Sequence, residues 1–336
     1  MALILLAAMT SLKMNAATPP APLFVDPHYQ GSCDPEIIWN QHEEEWWIFY
    51  TARRALHDET FVATPLGVAA SKDLIQWEFK GYCSFDGIPG EKDNHETFWA
   101  PAICREGDTY HMFVTWKMDT DTTRGQWGGP GYVIQYSAPA NDLLNGWKRV
   151  QKISKLEERA LDATVWKDGE TWKLWYKGRK DGGPKASLIA MQSEDLLNWK
   201  IDNSDTGEVF NETATGYGFE EAPFFFEWKG KKWLITDPHE GLIVYESDDA
   251  RSWKMNNVIL KEGGSREQDG SMARHCSVLV EEGRAFVFYH VEPWRDYGTP
   301  PYIQPRENRR AAIQIAELEL ADGKVVCDRD KDLILK

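Results

Sequence analysis

The sequence WKLWY at residues 172–176, closed by SEDLLNW at 193–199, is one copy of a phrase that recurs along this chain of 336 residues. Its aromatic half returns as WWIFY at 46–50, YHMF at 110–113, KWLI at 232–235 and AFVFYH at 285–290. Its closing half returns as SKDLIQW at 71–77 and SDDARSW at 247–253. The chain is therefore built from a repeated unit.

Successive units begin at Asp34, Trp99, Asp162, Glu221 and His275, which lie 54 to 65 residues apart. This spacing is longer than common short solenoid repeats and holds about four strands. Within each unit a short turn with Gly or Asp separates an apolar run from an aromatic run, as in a β-hairpin. The pattern predicts an all-β fold, a five-bladed β-propeller whose blades have about four antiparallel strands around a central funnel.

The composition restricts the partners of the chain. There are 53 acidic against 38 basic residues, which gives a net charge of −15, and no Lys/Arg tract is present. Nucleic acid is therefore not expected as a partner, whereas a neutral glycan suits the charge. Five cysteines without Cys-x-x-Cys spacing indicate neither a zinc site nor a dense disulfide framework.

The first 22 residues differ from the rest. Residues 2–9 resemble the apolar core of a signal peptide, with small residues before Ala17 and a Pro-rich linker after it. The segment is too short to span a membrane. We expect residues 1–22 to be a signal peptide and linker, residues 23–336 to form a single domain, and the protein to be periplasmic or secreted. A misassigned start is the rival interpretation.

Four unit starts carry ionisable side chains: Asp34, Asp162, Glu221 and His275. The innermost strand of each propeller blade lines the central channel, so residues at matched positions of successive repeats converge around one axis. Four ionisable groups in one funnel cost desolvation and mutual repulsion, which favours a functional role over a simple turn. We expect these residues to meet near the axis.

Three carboxylates in one funnel fit glycosidic cleavage. That reaction needs an acid that protonates the leaving oxygen and a carboxylate on the anomeric side, and a third carboxylate can hold the acid protonated by repulsion. A divalent metal site built from carboxylates and His275 is the main competing interpretation, although no compact ligand motif is present.

These motifs resemble those of the five-bladed propeller glycoside hydrolases of family 43, which are related to families 117 and 32. The resemblance covers residues 25–325 and rests on the following motifs: Asp34-Pro35, Trp99-Ala100-Pro101, Asp162, Glu221-Ala222-Pro223 and His275-Cys276-Ser277. It implies that Asp34 is the general base, Glu221 the general acid and Asp162 the residue that raises the pKa of the acid. Together these roles imply inversion.

The resemblance also bears on a metal and on the acid. His275 matches a histidine that often contacts a calcium ion or its water shell, so calcium is allowed although no cofactor is required. Glu220 directly precedes Glu221, and successive strand residues face opposite sides, so only one is expected to point inward. Glu221 is preferred because it precedes Ala-Pro. His239 is the reserve candidate for the acid.

Residues near the inner strands are expected to bind the sugar. Arginine can grip hydroxyls or a carboxylate, and tryptophan can stack on a sugar ring. The expected substrate-binding residues are Arg53, Trp99, Arg179, Glu220, His239 and Arg274. Residues 294–310 are expected to border the pocket, and the Gly-rich loop 119–131 to cover the funnel mouth or form a surface excursion.

The sequence therefore favours an exo-acting glycoside hydrolase. The sugar released is expected to be terminal, of the arabinofuranose, xylose or anhydro-galactose type, and the substrate an oligosaccharide or polysaccharide of plant or algal origin. Two alternatives stay open. One is a non-catalytic carbohydrate-binding propeller. The other is a glycan phosphorylase or transferase, with Lys177, Arg179 and Arg274 as a phosphate cradle.

Overall fold

The structure, a computed structural model, describes residues 17–89, 96–118, 130–154, 160–178, 187–202, 220–300 and 303–335. The described residues form strands, turns and the short 3₁₀ helix Arg306–Arg309, with no α-helix among them. Five sheets of four antiparallel strands are arranged as a propeller, which confirms the predicted fold. No helix in this part of the chain is long and apolar enough to cross a membrane.

The strands follow the chain blade by blade. Blade one contains Ser32–Asn40 (β1), Glu45–Ala52 (β2), Leu66–Ser71 (β3) and Glu78–Tyr82 (β4). The hairpin Ser84–Phe85 (β5) and Ile88–Pro89 (β6) comes next. Blade two contains Glu96–Glu106 (β7), Thr109–Met118 (β8), Tyr132–Pro139 (β9) and Lys148–Lys152 (β10).

The other three blades repeat this order. Blade three contains Leu161–Asp168 (β11), Thr171–Gly178 (β12), Ser187–Ser193 (β13) and Lys200–Ile201 (β14). Blade four contains Glu221–Trp228 (β15), Lys231–Asp237 (β16), Leu242–Ser247 (β17) and Lys254–Ile259 (β18). Blade five contains Arg274–Glu281 (β19), Arg284–Val291 (β20), Ala312–Ala321 (β21) and Lys324–Val326 (β22).

The hydrophobic core is divided among the interfaces between blades. Each of five clusters of buried apolar side chains combines residues from two adjacent blades, and together the clusters run once around the ring. Between blades three and four, for example, Trp166 stacks on Phe225 with ring centroids 4.3 Å apart. Burial of aromatic surface at every interface holds neighbouring blades together.

The closing phrase of the repeat is part of this packing. Trp199 of this phrase is buried, as is Trp147, which ends the corresponding stretch 137–147 of blade two. Their indole N–H groups donate to the carbonyl oxygens of Leu196 and Leu143 at 3.0 and 2.7 Å. In the copy at 193–199, the Asp195 carboxylate accepts backbone N–H groups of the turn. The tryptophans that make the repeat visible are thus structural.

The two ends of the described chain meet beside blades one and five. Ala17 pairs with Leu335, and Phe24 pairs with Ile313 of β21. Leu333 and Leu335 are buried in the cluster shared by these two blades. The predicted signal segment, residues 1–16, lies outside the described residues, whereas residues 17–22 lead directly into this contact.

Candidate active site

A β-bulge interrupts the inner strand of every blade near its start. The register shifts lie at Cys33/Glu36, Trp99/Ala102, Leu161/Ala163, Glu221/Phe224 and Arg274/Cys276. Asp34 and Asp162 lie within these bulges, with φ angles of 51° and 52°. A bulge bends the strand and redirects its side chains, and such features are frequent next to active sites.

The bulges refine the alignment of the unit starts. Asp34, Asp162 and His275 follow the last paired residue before the bulge, whereas Glu221 is itself that paired residue, opposite Asp237. Glu221 therefore lies one position earlier in its blade than Asp34 and Asp162 do in theirs, and its side chain is longer. The four ionisable unit starts nonetheless lie near one another. His275 Nδ1 is 3.3 Å from Asp34 Oδ1, and the charges of Glu221, His275 and Asp34 all act on Asp162.

Hydrogen bonds between blades fix these bulges. At four interfaces a side chain on the second strand of one blade accepts the backbone N–H of a bulge residue in the next blade. The pairs are Thr51 with Ala100 at 2.9 Å, Thr115 with Asp162 at 2.9 Å, Asp237 with His275 at 3.1 Å, and His290 with Asp34 at 3.1 Å. We call these side chains the acceptor ring. The last pair joins blade five to blade one.

Asp34 carries an ionised carboxylate. Thr51 donates to its Oδ2 at 2.7 Å, and His275 Nδ1 lies 3.3 Å from its Oδ1. Burial alone would raise the pKa of Asp34, but the hydrogen bond and charge of His275 hold it well below its usual range. Although burial disfavours its own charged form, His275 has its pKa raised to about 9 by Asp34. A general base requires such an ionised carboxylate.

Asp162 and Glu221 form a second pair with opposite behaviour. Burial, followed by the negative charge of Glu221, raises the pKa of Asp162. Burial acts in the same direction on Glu221, but Lys177, His239 and Arg274 outweigh it and hold the pKa of Glu221 well below its usual range. Two interacting carboxyls titrate as a unit, and here the shared proton belongs on Asp162.

Glu221 is surrounded by cationic side chains. Its Oε2 lies 2.7 Å from Lys177 Nζ, its Oε1 contacts His239 Nε2, and Arg274 Nη2 lies 3.8 Å from Oε1. Asp237 fixes two of these partners, because it accepts the His239 backbone N–H at 2.7 Å and the Arg274 Nε–H at 2.8 Å. His239 is therefore in direct contact with the expected acid.

Buried arginines form one wall of the site. Glu292 is fully buried and pairs with Arg53, Arg274 and Arg295. The Arg53 guanidinium also lies 4.7 Å from the ring centroid of Phe61. Arg53 and Arg274, both predicted from the sequence, thus belong to one ion-pair network. The ion pair of Arg295 with Glu292 places the start of the segment 294–310 beside this network.

The remaining predicted residues are distributed differently. The Trp99 ring lies 4.6 Å from Lys117 Nζ, in a cation–π contact within blade two. Glu220 is buried and accepts a hydrogen bond from the Tyr245 hydroxyl at 2.8 Å, so the structure keeps its carboxylate within blade four, apart from the Glu221 cluster. Alternation along the chain explains why only one of the two glutamates joins the site. Arg179 and most of the loop 119–131 lie outside the described residues.

Several residues of the site were not predicted. Thr51, Asp237, His290 and Glu292 hold the charged groups in place, yet none of them begins a repeat unit. All four lie on or just after the second strands of their blades. Repeat alignment of those second strands would have singled out the polar residues at their ends, because the middle of each strand is apolar.

The donor atoms do not favour a metal. Glu221, Asp237 and His239 each offer one ligand atom, all within 4.8 Å of one another. However, Lys177 and Arg274 already neutralise these carboxylates, and a bound cation would compete with them. Calcium takes six to eight oxygen ligands, and His275 belongs to no such group among the described residues. The calcium contact expected at His275 stays a prediction.

Comparisons with known proteins agree with this architecture. The family model for glycosyl hydrolases family 43 matches residues 56–317. That match begins after Asp34, so the place of Asp34 in the site rests on the geometry above. A search of curated proteins finds no match.

Solved structures of glycoside hydrolases share the fold. A thermostable family-43 glycoside hydrolase superposes with a TM-score of 0.64 at 18% identity, over 92% of this chain and 98% of that one. An α-L-arabinofuranosidase from Lactobacillus brevis gives 0.64 at 11% identity, over 94% and 98%. A family-32 β-fructofuranosidase from Bombyx mori gives 0.64 at 17% identity, over 90% of this chain and 66% of that enzyme.

Proposed function

The chain belongs to glycosyl hydrolases family 43, and on that premise we propose that it is an exo-acting, inverting glycoside hydrolase. In this proposal Asp34 is the general base, Glu221 is the general acid and Asp162 controls the proton of the acid. The observation that carries it is the convergence of carboxylates from blades one, three and four, which lie close enough that, besides burial, the charges of Glu221 and Asp34 raise the pKa of Asp162.

The base step follows from the surroundings of Asp34. Thr51 and His275 hold the carboxylate in one orientation and keep it ionised. In an inverting reaction such a carboxylate removes a proton from water, and the water oxygen then attacks the anomeric carbon. The positive charge of His275 keeps Asp34 ionised when other groups in the funnel are protonated.

The acid step requires a proton near the leaving oxygen. The pair formed by Asp162 and Glu221 holds that proton, and the low pKa of Glu221 assigns it to Asp162 before the reaction. As the glycosidic bond breaks, the leaving oxygen gains negative charge. The proton of the pair then moves from Asp162 to Glu221 and from Glu221 to the leaving oxygen, so that both carboxyls are ionised until a proton from solvent restores the pair.

The proposed substrate is a plant or algal oligosaccharide or polysaccharide that ends in a sugar of the arabinofuranose, xylose or anhydro-galactose type. The α-L-arabinofuranosidase with the same fold supports the first of these. The net charge of −15 favours a neutral glycan. We further propose export, on the basis of the apolar segment at residues 2–9.

A substrate panel tests this function. Aryl glycosides and oligosaccharides of the three sugar types are incubated with wild type, with Asp34→Asn and with Glu194→Gln, an exposed control on the outer part of blade three. We expect one sugar type to be released and Asp34→Asn to lower kcat by a factor of at least about 1,000, since it removes the base. Proton NMR of the first product should show inverted anomeric configuration.

Four results would overturn the proposal. Full activity of Asp34→Asn would remove Asp34 from the reaction, and a retained anomeric configuration would exclude a water-activating base at this position. Dependence of turnover on phosphate would indicate a phosphorylase. Binding of a glycan that is never cleaved would indicate a carbohydrate-binding protein.

A further inference from the structure

Blade three departs from the acceptor ring. At its second strand the position equivalent to Thr51, Thr115, Asp237 and His290 is occupied by Lys177, which pairs with Leu161 across β11 and β12. An ammonium group has three donors and no acceptor, so Lys177 cannot take the backbone N–H of the next blade as the other four side chains do. Lys177 therefore replaces the side-chain acceptor that the other four blades have at this position.

The Lys177 side chain contacts blade four through an ion pair instead. Its Nζ lies 2.7 Å from Oε2 of Glu221, and both side chains are largely buried, with exposures of 13% and 17%. Lys177 is also close enough to Asp162 to lower the pKa of that group. The positive charge of Lys177 therefore acts on both Asp162 and Glu221.

We propose that Lys177 is a positioning residue that orients Glu221 and sets the pH range over which this carboxyl donates its proton. This inference rests on the proposed role of Glu221 as the acid. The hydrogen bond fixes one carboxylate oxygen, Oε2, and leaves the orientation of Oε1 to His239. The charge favours ionised Glu221, so it keeps the proton of the pair on Asp162 and lowers the pH range in which the pair holds that proton.

The other charges around Glu221 determine how much Lys177 contributes. His239, which follows β16, and Arg274 of β19 act in the same direction, whereas Asp162 of β11 and Asp237 of β16 oppose them. Among these charges Lys177 has the largest effect on the pKa of Glu221, and its Nζ makes a direct contact with Oε2. A single opposite charge at this distance shifts a carboxyl pKa by about 1 to 3 units.

The test compares three substitutions at one position. Lys177→Met removes the charge, Lys177→Thr restores the acceptor found in blades one and two, and Lys177→Arg keeps the charge. For each, the pH dependence of kcat/KM is measured on the substrate identified for wild type. The pair formed by Asp162 and Glu221 must hold a proton, and Lys177 lowers the pKa of both carboxyls, so loss of its positive charge moves the basic limb to higher pH. We expect a shift of about one unit or more for Met and Thr, and little for Arg.

Lys173→Met is the matched control. Lys173 lies on the same strand, is similarly buried and pairs with Asp202, away from the site. We expect it to lower stability without moving the pH limbs. An unshifted basic limb in both Lys177→Met and Lys177→Thr would overturn the inference, as would an equal shift in Lys177→Arg. If Glu221→Gln were fully active, the proposed acid itself would be wrong, so the two failures are distinguishable.

Discussion

At the scale of single residues, Glu36 illustrates how a buried carboxyl joins two blades. It follows the Asp34-Pro35 pair in β1, and its Oε1 accepts the backbone N–H of Ile103 in blade two at 3.0 Å. Thr164 and Ser277 make the corresponding contacts from blades three and five, to Phe225 at 3.1 Å and Ile37 at 3.3 Å. Burial raises the pKa of Glu36 to about 8.

This carboxyl makes stability depend on pH. A carboxyl whose pKa is higher in the folded state than in the unfolded state favours folding most at low pH, and that contribution is lost as the pH rises through the folded pKa. We therefore expect the free energy of unfolding to fall by a few kcal/mol between about pH 4.5 and 8. Glu36→Gln keeps an acceptor for Ile103 and should flatten this dependence.

Chemical denaturation across that range checks this expectation. The variant should be more stable than wild type at pH 8 and lose its advantage near pH 4.5. The reverse order, or parallel curves for the two proteins, would show that Glu36 does not titrate in this window.

At the scale of elements, the bulges in the inner strands position the residues of the site. Ala100 and Ala222 occupy the bulges of blades two and four with φ angles of 46° and 53°, in the left-handed region that side chains other than glycine rarely adopt. Four of the bulges accept support from the acceptor ring of the preceding blade, and each bulge presents the residue before or within it to the funnel. In blade four that residue is Glu221.

Matched substitutions test the bulges. Ala100→Val and Ala222→Val place a β-branched residue at positive φ in two buried positions, and each should cost about 1 to 3 kcal/mol of stability. Ala222→Val should in addition lower kcat, because Glu221 is the adjacent residue. Ala100→Val, next to Trp99, should mainly raise KM. Unfolding curves measure the loss of stability, and steady-state kinetics measure kcat and KM. Equal losses of kcat in the two variants would contradict the expected difference between them.

Much of this arrangement was predictable from the sequence, and the reasons for the rest are physical. The repeat predicted the fold and the convergence of Asp34, Asp162, Glu221 and His275, because equivalent residues of a ring must face one axis. The charge states were not predictable. They depend on partners such as Lys177, which lies in the preceding blade, and no local pattern specifies which neighbour a side chain reaches across a blade interface.

At the scale of the whole molecule, the site exists only when the ring is closed. Asp34 comes from blade one, yet His275 and His290 of blade five hold its carboxylate and its backbone N–H. The contacts of Ala17 with Leu335 and of Phe24 with Ile313 join the same two blades at the chain ends. Closure of the propeller thus holds the proposed base in its place in the site.

The central claim is that Glu221 donates the proton and Asp34 activates water in one funnel. The most direct measurement compares wild type with Glu221→Gln on two substrates that carry the same sugar, one with a 2,4-dinitrophenyl leaving group and one with a sugar leaving group. A dinitrophenolate departs without protonation, so the account predicts a loss of at least about 1,000-fold in kcat/KM on the oligosaccharide and a much smaller loss on the aryl glycoside. Equal losses on both substrates, or full activity on the oligosaccharide, would contradict it.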